Sequence, residues 1–281
     1  MSRRVAPLRK APLLGYHVMA SRAAVVPPFS PTDIAGLKLW IDFSDADTLF
    51  TDAGSTKVSA DGDAIYQAND KSVNGKNFTQ TASDKRPLYK VNIKNGLSLA
   101  YFDGSNDFLS NAIFSVSQPN TIVVAVYHQG AKYLYDGSSS TRQLGEISVG
   151  AGSAARGYHQ YAGTSQYSNN VLSDNSYNIF TSIFNGASSS ITIGSGTPKS
   201  TNPGTANLGN TVYIGSRTGG TNNHLGYYLE LIVYDTALSD IDRASVVTYL
   251  NDKWNVYEPA KSQSLEGMLS FEAEEEKLWW Q

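Results

Sequence analysis

The chain has 281 residues, room for one large all-β domain with tails, and its 17% charged residues and 17 tyrosines favour strands and polar loops over helices. A net charge of −3 and four scattered histidines offer neither a field that draws a polyanion nor metal-ligand spacing, so no nucleic acid partner is expected. The absence of cysteine excludes disulfides, thiolate metal sites and a cysteine nucleophile, and no apolar run nears the roughly 18 residues of a membrane span, so no membrane insertion is expected.

Residues 1–35 read as a basic, proline-rich arm. Within residues 1–31, Arg3, Arg4, Arg9, Lys10 and Arg22 stand without an acid, a charge of +5, beside prolines 7, 12, 27, 28 and 31. Proline lacks a donor and turns the preceding residue away from helix, so this segment builds no core of its own. It is either a disordered leader or an arm that orders on another subunit. Pro12, Gly15, His17 and Arg22 interrupt the apolar stretch that a secretory leader needs, so the segment is expected to stay in the mature protein.

Residues 36–257 read as the body. Runs of strand character recur there as LKLWIDF, LSLAYFD, TIVVAVYH, RGYHQYA, YNIFTSIF, SITIGS, TVYIGS and YYLELIVYD, with turn residues between them. This is the pattern of antiparallel strands in a sandwich or barrel. TIVVAVYH is apolar at nearly every step and suits a central strand buried on both faces, whereas SITIGS and TVYIGS alternate as half-buried strands do. After LSLAYFD, the stretch FDGSNDFL reads as a hairpin-like turn with Phe102, Phe108 and Leu109 buried beside it. After the last strand, Ser239 and Asp242 form a capping-box pattern at the head of a helix over residues 239–254. Ile241, Ala244, Val247, Leu250 and Trp254 should form its apolar stripe.

Residues 258–281 read as an acidic tail. Over residues 260–281, five glutamates stand against Lys261 and Lys277, a charge of −3, before the final LWWQ. Trp279 and Trp280 either lie on the chain's own body or dock on a partner, where Trp is enriched among residues that dominate binding. With ends of opposite charge, Arg3, Arg4, Arg9, Trp279 and Trp280 are the candidate assembly contacts, and a homo-oligomer within an assembly is expected.

Several stretches taken together resemble the LamG-like, concanavalin A-like jelly-roll domains. In order they are LKLWIDFSDADTLF, NDKSVNGKNFTQ, KRPLY, NGLSLAYFDGSNDFL, and YIGSR followed by YYLELIVYDTALSDIDRASVVTYLNDKW, spanning about residues 36–256. The resemblance implies a two-sheet antiparallel jelly-roll sandwich of the kind found in lectins, pentraxins, glucanases and phage virion proteins, most of which bind rather than cut. Ala68 or Asn69 stands where that pattern has a Trp, which puts ligand stacking there in doubt.

The glucanase relatives carry a Glu-x-Asp-x-x-Glu strand, and this chain does not. Glu146 and Glu230 are its sole glutamates before residue 258, and Glu230 lies five positions from Asp235, on the opposite face of a strand. No Gly-x-Ser-x-Gly elbow and no phosphate loop occur either, so no catalytic residue and no enzyme activity are expected. Calcium is a possible ligand at Asp42, Asp45 and Asp47, and at Asp103, Asn106 and Asp107, although a turn is favoured for the second group; no other cofactor is expected. Sugar binding draws on aromatics beside amides, at Tyr158, His159, Tyr161, Gln166 and Tyr167 and at Asn222, Asn223, His224, Tyr227 and Tyr228. The leading expectation is a virion structural and adhesion protein, a phage decoration or tail component, that contacts other subunits and a host-surface glycan. The alternative is an extracellular carbohydrate-binding module, and a glycosidase comes third.

Overall fold

A computed structural model of the chain describes residues 28–138, 142–149 and 156–257. The assembly candidates Arg3, Arg4, Arg9, Trp279 and Trp280 lie outside them. The described strands in chain order are β1 (Leu37–Asp42), β2 (Leu49–Phe50), β3 (Gln67–Ala68), β4 (Phe78–Thr79), β5 (Leu88–Lys94), β6 (Leu97–Asp103), β7 (Leu109–Asn111), β8 (Asn120–His128) and β9 (Tyr133–Gly137). They continue with β10 (Leu144–Val149), β11 (Arg156–Tyr161), β12 (Ser165–Tyr167), β13 (Ser176–Phe184), β14 (Ser189–Ile193), β15 (Lys199–Thr201), β16 (Val212–Ile214) and β17 (Leu225–Tyr234). Among the described residues a single α-helix, α1 (Asp240–Trp254), follows.

The strands form a two-sheet antiparallel sandwich. One sheet runs β15-β14-β13-β8-β17-β6-β5, with β1 pairing the second half of β17, and the other runs β12-β11-β10-β9-β16-β7-β4-β3-β2. Alternation along each strand sends one set of side chains inward. Ile122, Val124, Val126, Phe102, Tyr135, Tyr158, Phe180 and Leu231 therefore meet in the core between the sheets. β8 lies at the centre of the first sheet, and its other face carries Val123 and Ala125 into a second core beneath α1. That is why TIVVAVYH is apolar at nearly every step.

The helix begins as expected, with the Ser239 hydroxyl accepting from the Asp242 backbone N–H at 3.1 Å. Its buried stripe is shifted from the expected one. Val246, Val247, Leu250 and Trp254 face the sheet together with Arg243, whereas Ile241, 79% exposed, and Ala244 point outward. The buried positions 243, 246, 247, 250 and 254 follow steps of three and four along one face, and Ile241, two positions or about 200° before Arg243, falls on the opposite side. Phe29 and Ile34, expected in the arm, already pack against this second core, and the Tyr234 hydroxyl donates to the Pro31 carbonyl at 3.0 Å.

A bulge in β17 positions one buried acid. Against β8 the register skips between Tyr228 and Glu230, so both Leu229 and Glu230 turn toward α1. Asp42, the register partner of Glu230 on β1, shares that face.

Candidate functional site

Glu230 is the first candidate to examine, as a fully buried acid. Its Oε1 accepts from Trp254 Nε1 at 2.8 Å, and its Oε2 from Trp40 Nε1 at 2.7 Å and the Tyr249 hydroxyl at 3.1 Å. Lys253 Nζ bridges it to Asp42, at 2.7 and 2.8 Å, and Lys71 Nζ joins Asp42 to Asp45, at 2.9 and 2.6 Å. Burial raises the Glu230 pKa, with the Asp42 charge adding to it; for Asp42, burial is outweighed by Lys253 and Lys71, and its pKa falls. Every lone pair with a role here faces a donor of the fold. The cluster fastens α1 to the sheet and leaves Glu230 no open side for a substrate. Asp235, beyond the end of β17, is held by Lys38 at 2.8 Å.

The calcium candidates are similarly engaged. Asp42 and Asp45 hold Lys71, and Asp47 holds Lys57 at 2.7 Å. FDGSNDFL is a turn, but it carries the chain from one sheet to the other instead of closing a hairpin, since β6 and β7 belong to different sheets. Asp103 Oδ1 accepts from the backbone N–H groups of Ser105 and Asn106, and Asp107 Oδ2 from that of Asp103, at 2.8, 3.3 and 2.9 Å. Gly104 takes φ +76°, and a Cβ there would press into Leu225. Asp107 is 5% exposed, and burial with the nearby Asp103 charge pushes its pKa up to about 7 against the backbone bond. Among the described residues no group of three or more His, Cys, Asp or Glu is placed to hold a metal ion.

The first sugar-binding cluster divides by strand parity. Tyr158 and Gln160 point into the sandwich, where Tyr158 stacks on Phe180 at 4.6 Å and its hydroxyl lies 2.8 Å from Ser182 Oγ. Tyr158 therefore presents nothing to solvent. His159 and Tyr161 face the other way, and His159 stacks on Tyr167 at 4.6 Å with 17° between the rings.

The outer face of this second sheet carries more than the sequence revealed. Tyr133, Glu146, His159 and Tyr167 are successive register partners on β9, β10, β11 and β12, forming one row across four strands. Glu146 Oε1 lies 2.8 Å from His159 Nδ1, and the Tyr133 and Ser148 hydroxyls also bond the carboxylate. Burial opposes ionisation of Glu146, but these three partners outweigh it and hold its pKa below the usual carboxylate value. His159 Nε2 is buried without a partner. Tyr133, Tyr161 and Tyr167 are half-buried around this floor, and the Arg217 guanidinium lies 6.0 Å from the Tyr133 ring. Sequence reasoning weighed Glu146 only as a catalytic acid and passed over Tyr133, because LGEISV and KYLYDG carry no motif. The register alone brings them together.

The second cluster does not converge. His224 and Tyr228 are fully buried beside Phe102, and burial, with His128 nearby, drives the His224 pKa down to about 3. Asn223 Nδ2 donates to the Asp107 carbonyl inside the turn, and Asn222 is exposed with φ 52°. Tyr227 lies on the helix-bearing face in a row with Tyr101, Tyr127 and Tyr177, with ring centroids 5.3, 5.8 and 4.8 Å apart along it.

No family model matches the chain, and no curated protein matches it. Among solved structures it is similar to domain 4 of AbnA, a GH43 extracellular arabinanase from Geobacillus stearothermophilus in complex with arabinotriose. The identity is 10%, the TM-score 0.51, and the match covers 75% of this chain and 98% of that one. It is also similar to a GH54 α-L-arabinofuranosidase soaked with a cyclic sulfate inhibitor, at 13% identity and TM-score 0.51, covering 69% of this chain and 52% of the other. Likeness at these identities is likeness of fold.

Proposed function

We propose that the sandwich is a non-catalytic carbohydrate-binding module of the LamG-like, concanavalin A-like kind, carried by a virion structural and adhesion protein whose ends contact other subunits. The observation that carries the binding role is the row Tyr133, Glu146, His159 and Tyr167 on the face that α1 leaves uncovered. Half-buried rings can stack on the apolar face of a sugar, and the Glu146 carboxylate and the Arg217 guanidinium beside them are polar groups that can meet its hydroxyls. A domain of similar fold that holds arabinotriose supports the reading. The engagement of Glu230 by five donor contacts supports a binding role over a hydrolytic one. The virion setting draws on the basic, proline-rich segment at one end and the acidic, Trp-bearing segment at the other.

The test is a glycan array with the full-length protein, run with calcium and with EDTA, beside the double variant Tyr133→Ala, Tyr167→Ala. Binding that falls about tenfold or more in the variant, the loss of one to two stacking contacts, fits the row. Silence on every glycan refutes the binding role. Full binding by the variant moves the site off the row.

A further inference from the structure

The outward side of α1 is not a plain solvated surface. Phe29, Ile241, Ala244, Thr248, Tyr249 and Asp252 line an apolar groove of about 740 Å³ along it. Ile241, Ala244 and Thr248 fall at steps of three and four on the exposed side of the helix, opposite its buried stripe, and Phe29 rests against Tyr249 with centroids 6.1 Å apart. The rim is acidic at both ends, with Asp240 and Asp242 beside the first turn and Asp252 beside the last. The cations nearby are already matched. Lys253, which also lines the groove, is paired with Asp42 and Glu230, and Arg243, 8% exposed, reaches Asp240 at 3.4 Å.

Pro28, the first described residue, itself lines the groove. Residues 22–27 read RAAVVP and belong to a segment of 27 residues that holds five basic side chains and no acid. Six extended residues span about 20 Å. The eleven-residue rise from Ile241 to Asp252 is about 17 Å. Consecutive prolines favour the extended, donor-poor conformation that aromatic-lined grooves accept.

We propose that this groove is the seat of residues 22–27 of the same chain, with Val25 and Val26 on Ile241 and Ala244 and with Arg22 at a rim aspartate. The basic residues nearer the start, Arg3 to Lys10, remain available for other contacts. The assignment is independent of the sugar-binding row.

Limited trypsin digestion of the full chain, followed by mass spectrometry, tests it with an internal control. Cleavage after Arg22 should run at least tenfold slower than cleavage after Arg9. The double variant Ile241→Asp, Ala244→Asp should bring the two sites to similar rates; both positions are exposed, so an unchanged melting curve is expected to accompany the effect. Equal rates at Arg22 and Arg9 in the unaltered chain, or protection that persists in the variant, would overturn the proposal. Protection that disappears on hundredfold dilution would also overturn it, because the groove would then hold the arm of a second copy.

Discussion

Asp107→Asn should make the protein more stable at pH 8 and flatten the acid side of its stability profile. Asp107 is almost fully buried at the turn between the two sheets, and its carboxyl is pushed up from 3.8 to about 7 by burial and by the Asp103 charge. In the native state it therefore binds a proton that the unfolded chain releases between about pH 4 and pH 7, and stability falls as pH rises through that window. A shift of three units at about 1.4 kcal/mol each puts the ceiling near 4 kcal/mol at pH 8. Asparagine keeps an oxygen that can accept from the Asp103 N–H, as Asp107 Oδ2 does at 2.9 Å, and carries no charge to bury. Urea unfolding followed by tryptophan fluorescence at pH 5 and pH 8 measures both proteins. The variant should gain about 2–4 kcal/mol over the unaltered chain at pH 8 and much less at pH 5. Parallel pH profiles for the two would refute the reasoning.

Three further outcomes are expected. Glu230→Ala leaves two indole N–H groups, the Tyr249 hydroxyl and Lys253 facing a void, and should cost about 3–5 kcal/mol in denaturant unfolding. Gly145→Ala places a methyl against the Tyr158 hydroxyl and the Tyr135 ring, inside the core, and should lower stability by about 1–3 kcal/mol. EDTA should leave the melting temperature of the purified protein unchanged, because Asp42, Asp45 and Asp47 are held by lysines and Asp103 and Asp107 by backbone N–H groups; a drop of several degrees restored by calcium would count against this.

Sequence periodicity found most of the longer strands, and even the three-residue β16, but not the seven-residue β5, whose exposed Asn92 and Ile93 interrupt its alternation. The eight quoted runs fall on β1, β6, β8, β11, β13, β14, β16 and β17. β2, β3 and β4 have two residues each, too few for alternation to register, and they are set by pairing with one another and with β7. β9 and β10 were missed for a different reason. Their outward positions hold Tyr133, Glu146 and Ser148, and a polar outer face dilutes the strand signal in a short run. The same dilution hid the candidate site, since its four members are 34 positions apart at the extremes, from Tyr133 to Tyr167, and meet only through register.

Several of the stretches that carry the resemblance meet in one buried cluster, for a reason of folding. Trp40 from LKLWID, Lys71 from NDKS, Glu230 from YLELIVYD, and Tyr249, Lys253 and Trp254 from YLNDKW all close on the Glu230–Asp42 cluster. A lone buried carboxylate would be costly, so the donors must arrive from three separate parts of the chain before the acid can be tolerated. Their arrival fixes the seating of α1 on the first sheet, and the row proposed to meet a ligand lies on the other sheet, on the face that α1 leaves uncovered. Swapping Glu230 for Gln separates locking from chemistry. The amide keeps an acceptor for one indole, turns its N–H toward the other and weakens the Lys253 contact, so it should reduce stability while leaving glycan binding at the Tyr133–Tyr167 row intact in the folded fraction; a loss of binding in folded protein would tie the buried acid to function after all.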